Sequence, residues 1–414
     1  MAQPTQTDLP TPGQPPPDHG DVGHGAGFWS RASLLIAVVA AGFLLGLPDP
    51  ATQVPQVPNR DRAGSQPLAA VPPLAQLWPQ ARIEVMPGPL LDATGYLPWH
   101  YLDARTSMGT AQSTDRSMMR LLLRSAGDGA TTDPAVTELR RLSTTLAPQF
   151  LGFVSTGDEV YWIETTIVPA AEGTPVEPGV GGVPEASIWR YRRGSTTLPE
   201  QVTTELGDVL LSDTQNDLVI ADGRLRWAAV ARDDANVTEL RSVPLAGGVV
   251  EIDRVDGAYL PSSWPWLTSA STEQAPFHLF NPRTGERKVV PASATELISC
   301  TPVWCRSMVL GPDGGPTRID LMRPDGSARQ RVAGPRVSTP IAQVAMLDRF
   351  EVLTRGNDRP DSATQLLIYD TTSQRTAMLA EQAGMIFANA GILWWSTGES
   401  DPAQWHALDL RTLA

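Results

Sequence analysis

The chain has 414 residues, 19% of them charged, with a formal net charge of −13, 35 glycines and 38 prolines. That length can bury a sizeable core, as two or three domains or one large all-β domain, and the Gly and Pro content marks many turns rather than long helices. The acidic balance, with no cluster of basic residues, argues against a nucleic-acid groove, which needs grouped Lys and Arg to meet phosphates.

Residues 1–27 are rich in Pro and Gly and nearly free of large apolar side chains. They cannot offset the entropy of ordering and are expected to form a disordered cytoplasmic tail. Residues 28–47, FWSRASLLIAVVAAGFLLGL, carry no charge from residue 32 onward. As a helix that uncharged stretch is roughly 24 Å long, short for a span but lengthened at the interface by Phe28 and Trp29. Arg31 is the only basic residue before Arg60. Positive-inside logic therefore places the N-terminus in the cytoplasm and everything after residue 47 outside. The expectation is a single-pass signal anchor in the cytoplasmic membrane. A cleaved secretory signal is the rival, although GLPDPATQ is a poor cleavage context, and a buried soluble helix is the third reading. Residues 48–74, with their Pro and Gln, read as a semi-rigid linker, and residues 75–414 as the folded domain.

Within the folded domain a pattern recurs: a turn with Gly or Asp, then a strand opening on apolar-x-Trp. Its copies hold Trp162, Trp227, Trp304 and the pair Trp394 and Trp395, with Phe350 in a fifth copy. Downstream of each comes an alternating strand, a tight turn and another alternating strand, as in ELRSVPLAGGVVEI. The second turns fall near residues 127, 193, 247, 284, 325 and 372. That spacing suits four-stranded propeller blades. The segment DPAVTELRRLSTTL reads either as a short helix or as the outer strand of the first unit. The last unit has room for three strands, so ring closure requires an early segment to supply a fourth, and residues 81–88, ARIEVMPG, fit. The expected fold is all-β, a seven-bladed β-propeller after one transmembrane helix, with six blades if residues 90–150 prove irregular.

The repeats, together with LWPQARIEVMPGPLLDATGYLPWHYLDART, PLAGG and SCTPVWCR, resemble the TolB-like β-propeller proteins of bacterial envelopes, over roughly residues 75–414. The use of a single lysine, Lys288, among 32 basic residues fits a high-GC genome. What the resemblance implies is an extracytoplasmic propeller that binds partners rather than one that catalyses. The anchor and the tail depart from that periplasmic pattern.

The two cysteines, Cys300 and Cys305, are separated by Thr-Pro-Val-Trp. In an oxidising exterior such a pair is most simply a disulfide across a hairpin. The spacing matches neither the C-x2-C of redox and zinc sites nor, with no second pair, a metal shell. Of five histidines, His19 and His24 lie in the tail, while His100, His278 and His406 fall on or beside strands. Convergence of the three on a channel metal is weaker than three separate structural roles. GPDGGP and RPDG lack a calcium ladder or a Walker lysine and read as turns. The tryptophans suit core packing better than a sugar-binding surface. No catalytic, cofactor-binding or metal residue is expected, and the binding residues stay open. Three long polar connections, residues 166–187, 355–363 and 397–403, join the second and third strands of their blades on one face, where binding sites tend to gather. The turns of the opposite face are expected to be mostly tight. The expected function is a membrane-anchored extracytoplasmic module that binds an envelope protein or glycan. A propeller enzyme with an axial active site, such as a lyase, hydrolase or quinone-dependent dehydrogenase, is the alternative.

Overall fold

The computed structural model describes residues 71–127, 135–170, 182–212, 214–269, 277–312, 314–356, 364–398 and 404–413. All belong to one compact unit of the chain, Leu68–Val176 with Val180–Ala414. The expected tail, the expected anchor and most of the expected linker lie outside the described residues. No helix among the described residues is long and apolar enough to cross a membrane.

The chain folds into seven antiparallel sheets that follow one another along the sequence, six of four strands and one whose inner strand is split in two. Each sheet is a blade, its strands A to D running from the axis outward. The A strands are Leu97–Asp103, Gln149–Thr156, the split pair Asp208–Val209 and Val219–Ala221, Tyr259–Pro261, Glu296–Cys300, Val337–Ser338 and Ile386–Asn389. Residues 97–143 form a full first blade, which removes the six-bladed count, and DPAVTELRRLSTTL holds its outer strand, Ala135–Ser143. The last blade is completed as the sequence requires. Ile83–Pro87 pairs with Gln404–Asp409, from Ile83 opposite Leu408 to Pro87 opposite Gln404.

Seven clusters of buried side chains fill the seven joints between consecutive blades, including the joint between the last and the first. A middle strand therefore has no solvent face. In the B strand Glu159–Val168, Trp162 points into the joint with blade 1, while Tyr161 and Ile163 point into the joint with blade 3, and all three are fully buried. Truncating such a side chain to Ala costs about 3–5 kcal/mol where the space cannot collapse. Two-residue hairpins join the A and B strands of blades 1, 2, 3 and 7. At Asp222–Gly223 both residues have positive φ, 52° and 71°, the twist a two-residue hairpin needs.

Arginine does much of the joining between blades, which suits its planar fork better than the point charge of lysine. Arg140 of blade 1 grips Glu164 of blade 2 with two hydrogen bonds, 2.8 and 2.7 Å, while its guanidinium lies 3.7 Å from the ring centre of Trp189. Arg124 of blade 1 donates to the carbonyls of Pro87 (2.7 Å) and Pro89 (3.3 Å), binding the closing strand to the blade beside it. Ahead of that strand, Pro73 bridges the outer strand of blade 6 at Met378, and a one-turn helix, Leu74–Leu77, puts Leu74 and then Trp78 into the joint of blades 6 and 7. Some of the segment read as linker thus packs on the propeller.

Candidate functional site: the axial channel

The residues singled out from the sequence are spread around the ring. Cys300 and Cys305 face each other across the A–B turn of blade 5 and are disulfide-bonded, with Cα atoms 4.1 Å apart. His100 lies on the A strand of blade 1, His278 on the C strand of blade 4 and His406 on the C strand of blade 7, each with partners of its own. His100 is buried, shares a 3.3 Å hydrogen bond with Ser155 Oγ and stacks on Phe153, and burial lowers its pKa to about 4. His278 meets Tyr259 and Arg287, and His406 meets Thr397 Oγ1 at 2.7 Å above the Trp395 ring. His406 is also lowered by burial. Among the described residues no group of three or more His, Cys, Asp or Glu is placed to hold a metal. The expected connections do join B to C strands, but in blade 2 residues 166–168 and 183–187 continue the strand ladder, which shortens that connection to 169–182; most of its residues, like those of 355–363 and 397–403, lie outside the described ones.

Two segments that the sequence did not flag reach the axis. The A–B turns are mostly tight, as expected, and the exception is blade 6, where residues 339–349 connect Val337–Ser338 to Phe350–Arg355. A buried ion pair pins this long connection. Glu351, fully buried on the B strand of blade 6, accepts from Arg306 of blade 5 at 2.8 Å and from the backbone N–H of Ala345 at 2.7 Å. Arg306 also donates to the carbonyls of Ile341, Ala342 and Gln343. Within the connection Ala345, Leu347 and Asp348 all have positive φ, an arrangement that persists only where surrounding contacts impose it. From blade 3 comes the second segment, where the A strand is interrupted. There the carboxylate of Asp217 accepts from the N–H of Ser212 (2.9 Å), the N–H of Thr214 (3.3 Å) and the Thr214 hydroxyl (3.1 Å).

The two segments divide the channel into two cavities. One, of about 840 Å³, is walled by the A strands of blades 1, 2 and 7. Its aromatic side carries Trp99, Phe150, Phe153 and Phe387, with Trp99 and Phe387 5.8 Å apart edge to face. Facing them are the amides of Gln149, Gln215, Gln343 and Asn389. The other, of about 640 Å³, lies against blades 4 and 5 and is lined by hydroxyls, among them Ser262, Ser263, Thr268, Ser269, Ser299 and Thr301. Among the described residues neither lining includes an Arg, Lys or His, and each includes a carboxylate, Asp217 in the first and Asp348 in the second. Burial raises the Asp348 carboxyl above its ordinary value against the pull of Arg323. Such walls suit a ligand with apolar faces and neutral hydroxyl or amide edges. The sequence signal for them was faint: Trp99 and Phe387 sit in apolar runs indistinguishable from core strands.

No protein-family model matches the sequence, and no curated protein matches it. Among solved structures, the uncharacterized protein lmo1340 from Listeria monocytogenes EGD-e is similar at 8% identity and a TM-score of 0.48, over 80% of this chain and 96% of that one. YCF48 from Cyanidioschyzon merolae is similar at 10% identity and a TM-score of 0.44, over 79% and 99%. TolB from Acinetobacter baumannii is similar at 11% identity and a TM-score of 0.36, over 67% and 64%. The assignment as a seven-bladed propeller rests on the seven sheets themselves.

Proposed function

We propose that this protein is a binding module, displayed outside the cytoplasmic membrane on its N-terminal anchor, that holds an envelope glycan in the aromatic cavity of its channel. The observation that carries the ligand class is the pairing of the half-buried rings of Trp99 and Phe387 with side-chain amides in a cavity whose described lining has no cation. Aromatic rings stack on the C–H faces of sugars, and amides replace the water that sugar hydroxyls lose on binding. A phosphorylated or carboxylated ligand would lack a counter-charge there. The cavity also lies toward the starts of the A strands, the end of the ring at which the long B–C connections emerge. For the placement, support comes from the uncharged run at residues 32–47 behind Arg31 and from the disulfide, which persists in oxidising compartments.

General acid–base or nucleophilic chemistry needs a base or a second carboxylate beside the reacting atom. Among the described residues of the aromatic cavity the carboxylate is Asp217, and it is occupied by its own loop. The test is glycan binding by the full-length protein in nanodiscs, alongside Trp99→Ala. Binding of neutral oligosaccharides that weakens about tenfold in the variant, without turnover, supports the reading. Turnover of the bound glycan, or a captured envelope protein whose affinity ignores Trp99, overturns it. Protease accessibility of the propeller in intact cells and spheroplasts tests the placement separately.

A further inference from the structure

The two cavities share the lining residues Ser212, Thr214, Gln215, Ala342 and Gln343, so what separates them is thin. Three side-chain amides close it. The N–H of Ala390 donates to Gln215 Oε1 at 3.1 Å, Gln343 Nε2 donates to the carbonyl of Ala388 at 2.9 Å, and Asn389 Nδ2 donates to the carbonyl of Phe153 at 3.3 Å. These bonds join blades 3, 6, 7 and 2 across the channel.

We infer that the ligand is a linear neutral glycan chain that continues from the aromatic cavity into the hydroxyl-lined cavity, with Gln215, Gln343 and Asn389 as the gate it crosses. This rests on the binding reading above. First, the barrier can yield without unfolding. Each of these links is one amide–backbone hydrogen bond, whose exchange for a bond to a ligand hydroxyl changes the free energy by only about 1 kcal/mol. The backbone behind Gln343 stays fixed meanwhile, because Arg306 holds the carbonyls of residues 341–343 and is itself held by Glu351. Second, the chemistry continues beyond the gate. The far cavity offers hydroxyls and, among its described residues, no cation, and Leu260 and Leu347 add apolar surface at its wall. A chain alternating apolar ring faces with hydroxyl edges meets compatible walls along the whole path, whereas a polyanion would meet Asp217 and then Asp348. Third, the three amides span between blades where the two cavities adjoin, so a chain that continues from one to the other passes them.

The experiment titrates the full-length protein in nanodiscs with reducing-end-labelled maltose-type and cellulose-type oligosaccharides, from monosaccharide to octasaccharide. Beside the wild type stand Ser299→Trp and, at a second position, Ser263→Trp, each of which fills the far cavity, and Gln343→Ala, which removes one gate bond. The inference expects affinity to rise with length and each Trp variant to return the longest probes to the affinity of the short ones, a loss of about tenfold or more. Short probes bind the wild type and both Trp variants equally. Gln343→Ala accelerates association of long probes only. Circular dichroism and the urea midpoint confirm that each variant is folded. If short probes bind and neither Trp variant affects the long ones, the chain inference is overturned and the aromatic-cavity reading stands. If no probe binds the wild type, both are overturned.

Discussion

Two joints of the ring each depend on a buried arginine, and they use it differently. At the joint of blades 5 and 6, Arg306 meets a carboxylate, Glu351, and the pair fixes a backbone segment that crosses the channel. At the joint of blades 7 and 1, Arg124 is 2% exposed, and its hydrogen-bond partners are the carbonyls of Pro87 and Pro89, with the ring of Tyr96 5.2 Å from its guanidinium carbon. Burial lowers the Arg124 pKa. The closing joint has another source of strength, the five-residue ladder between Ile83–Pro87 and Gln404–Asp409. The connection at 339–349 has no ladder of its own and depends on a charge pair. Continuous backbone pairing thus lets a buried cation make do with dipoles, while an irregular segment held at an axis needs a full counter-charge.

Removing the cation at each joint breaks the comparison most directly. Arg306→Met leaves Glu351 buried without its partner, and the expected loss is about 3–5 kcal/mol in urea unfolding. Arg306→Met with Glu351→Leu should recover most of that stability, because a well-packed apolar pair avoids the desolvation of both ions. The double variant should still lose glycan affinity, since the carbonyls of residues 341–343 lose their anchor. Equal losses in the single and double variants would show that the pair matters only through its contacts. The next effect is set by pH at the joint of blades 1 and 2. The fold holds His100 neutral, with its pKa lowered to about 4 from an ordinary 6.5, so below pH 6.5 the unfolded chain takes up a proton that the folded chain does not. Stability therefore falls as pH drops from 6.5 to 4, by up to ~3 kcal/mol from this residue, and is unaffected by it above pH 7. His100→Gln should flatten that region of the stability–pH curve relative to wild type, and parallel curves would contradict the assignment. Arg124→Met should cost less than Arg306→Met, about 1–2 kcal/mol, because two carbonyls lose donors while no carboxylate is stranded. A loss as large as at Arg306 would mean that ring closure depends on the cation rather than on the ladder.

The wall of the propeller was legible in the sequence and the axis was not. Alternation in segments such as Arg224–Val230, the repeated tryptophans and the recurring turns gave the blades, and ring closure by residues 81–88 followed from counting strands. Those signals are strong because they recur from blade to blade. The segment at 339–349 occurs once, so no repeat exposes it, and its anchors were disguised. Arg306 in CRSMVL and Glu351 in FEVL read as the solvent phase of alternating strands. Middle blades are packed on both faces, so the outward phase of a B strand is buried as well, and a charge there must find a partner in the next blade. In a propeller, opposite charges at matching B-strand positions of adjacent blades are therefore a signal for an interblade pair, and sequence reading can search for it.

The smallest expected effect concerns the disulfide, which sits beside the pinned segment. Cys300 and Thr301 line the hydroxyl-lined cavity, and Trp304, at the end of the same turn, donates its indole N–H to the carbonyl of Asp348 at 2.9 Å. The bond closes a short loop, so it should stabilise the fold by about 2 kcal/mol or less. The turn keeps its own hydrogen bonds without it. The N–H of Thr301 donates to the Trp304 carbonyl at 2.8 Å, and the Thr301 hydroxyl accepts from the N–H groups of Val303 (3.3 Å) and Trp304 (3.0 Å). A Cys300→Ser/Cys305→Ser double variant should therefore fold with a urea midpoint only slightly below wild type. Its effect should be local, showing as faster hydrogen exchange at residues 301–304 and 345–348 with the other joints unchanged. Exchange that rises evenly around the ring would assign the bond to the stability of the whole propeller. It would also place the charge pair of Arg306 and Glu351, rather than the turn beside it, in sole control of the axis.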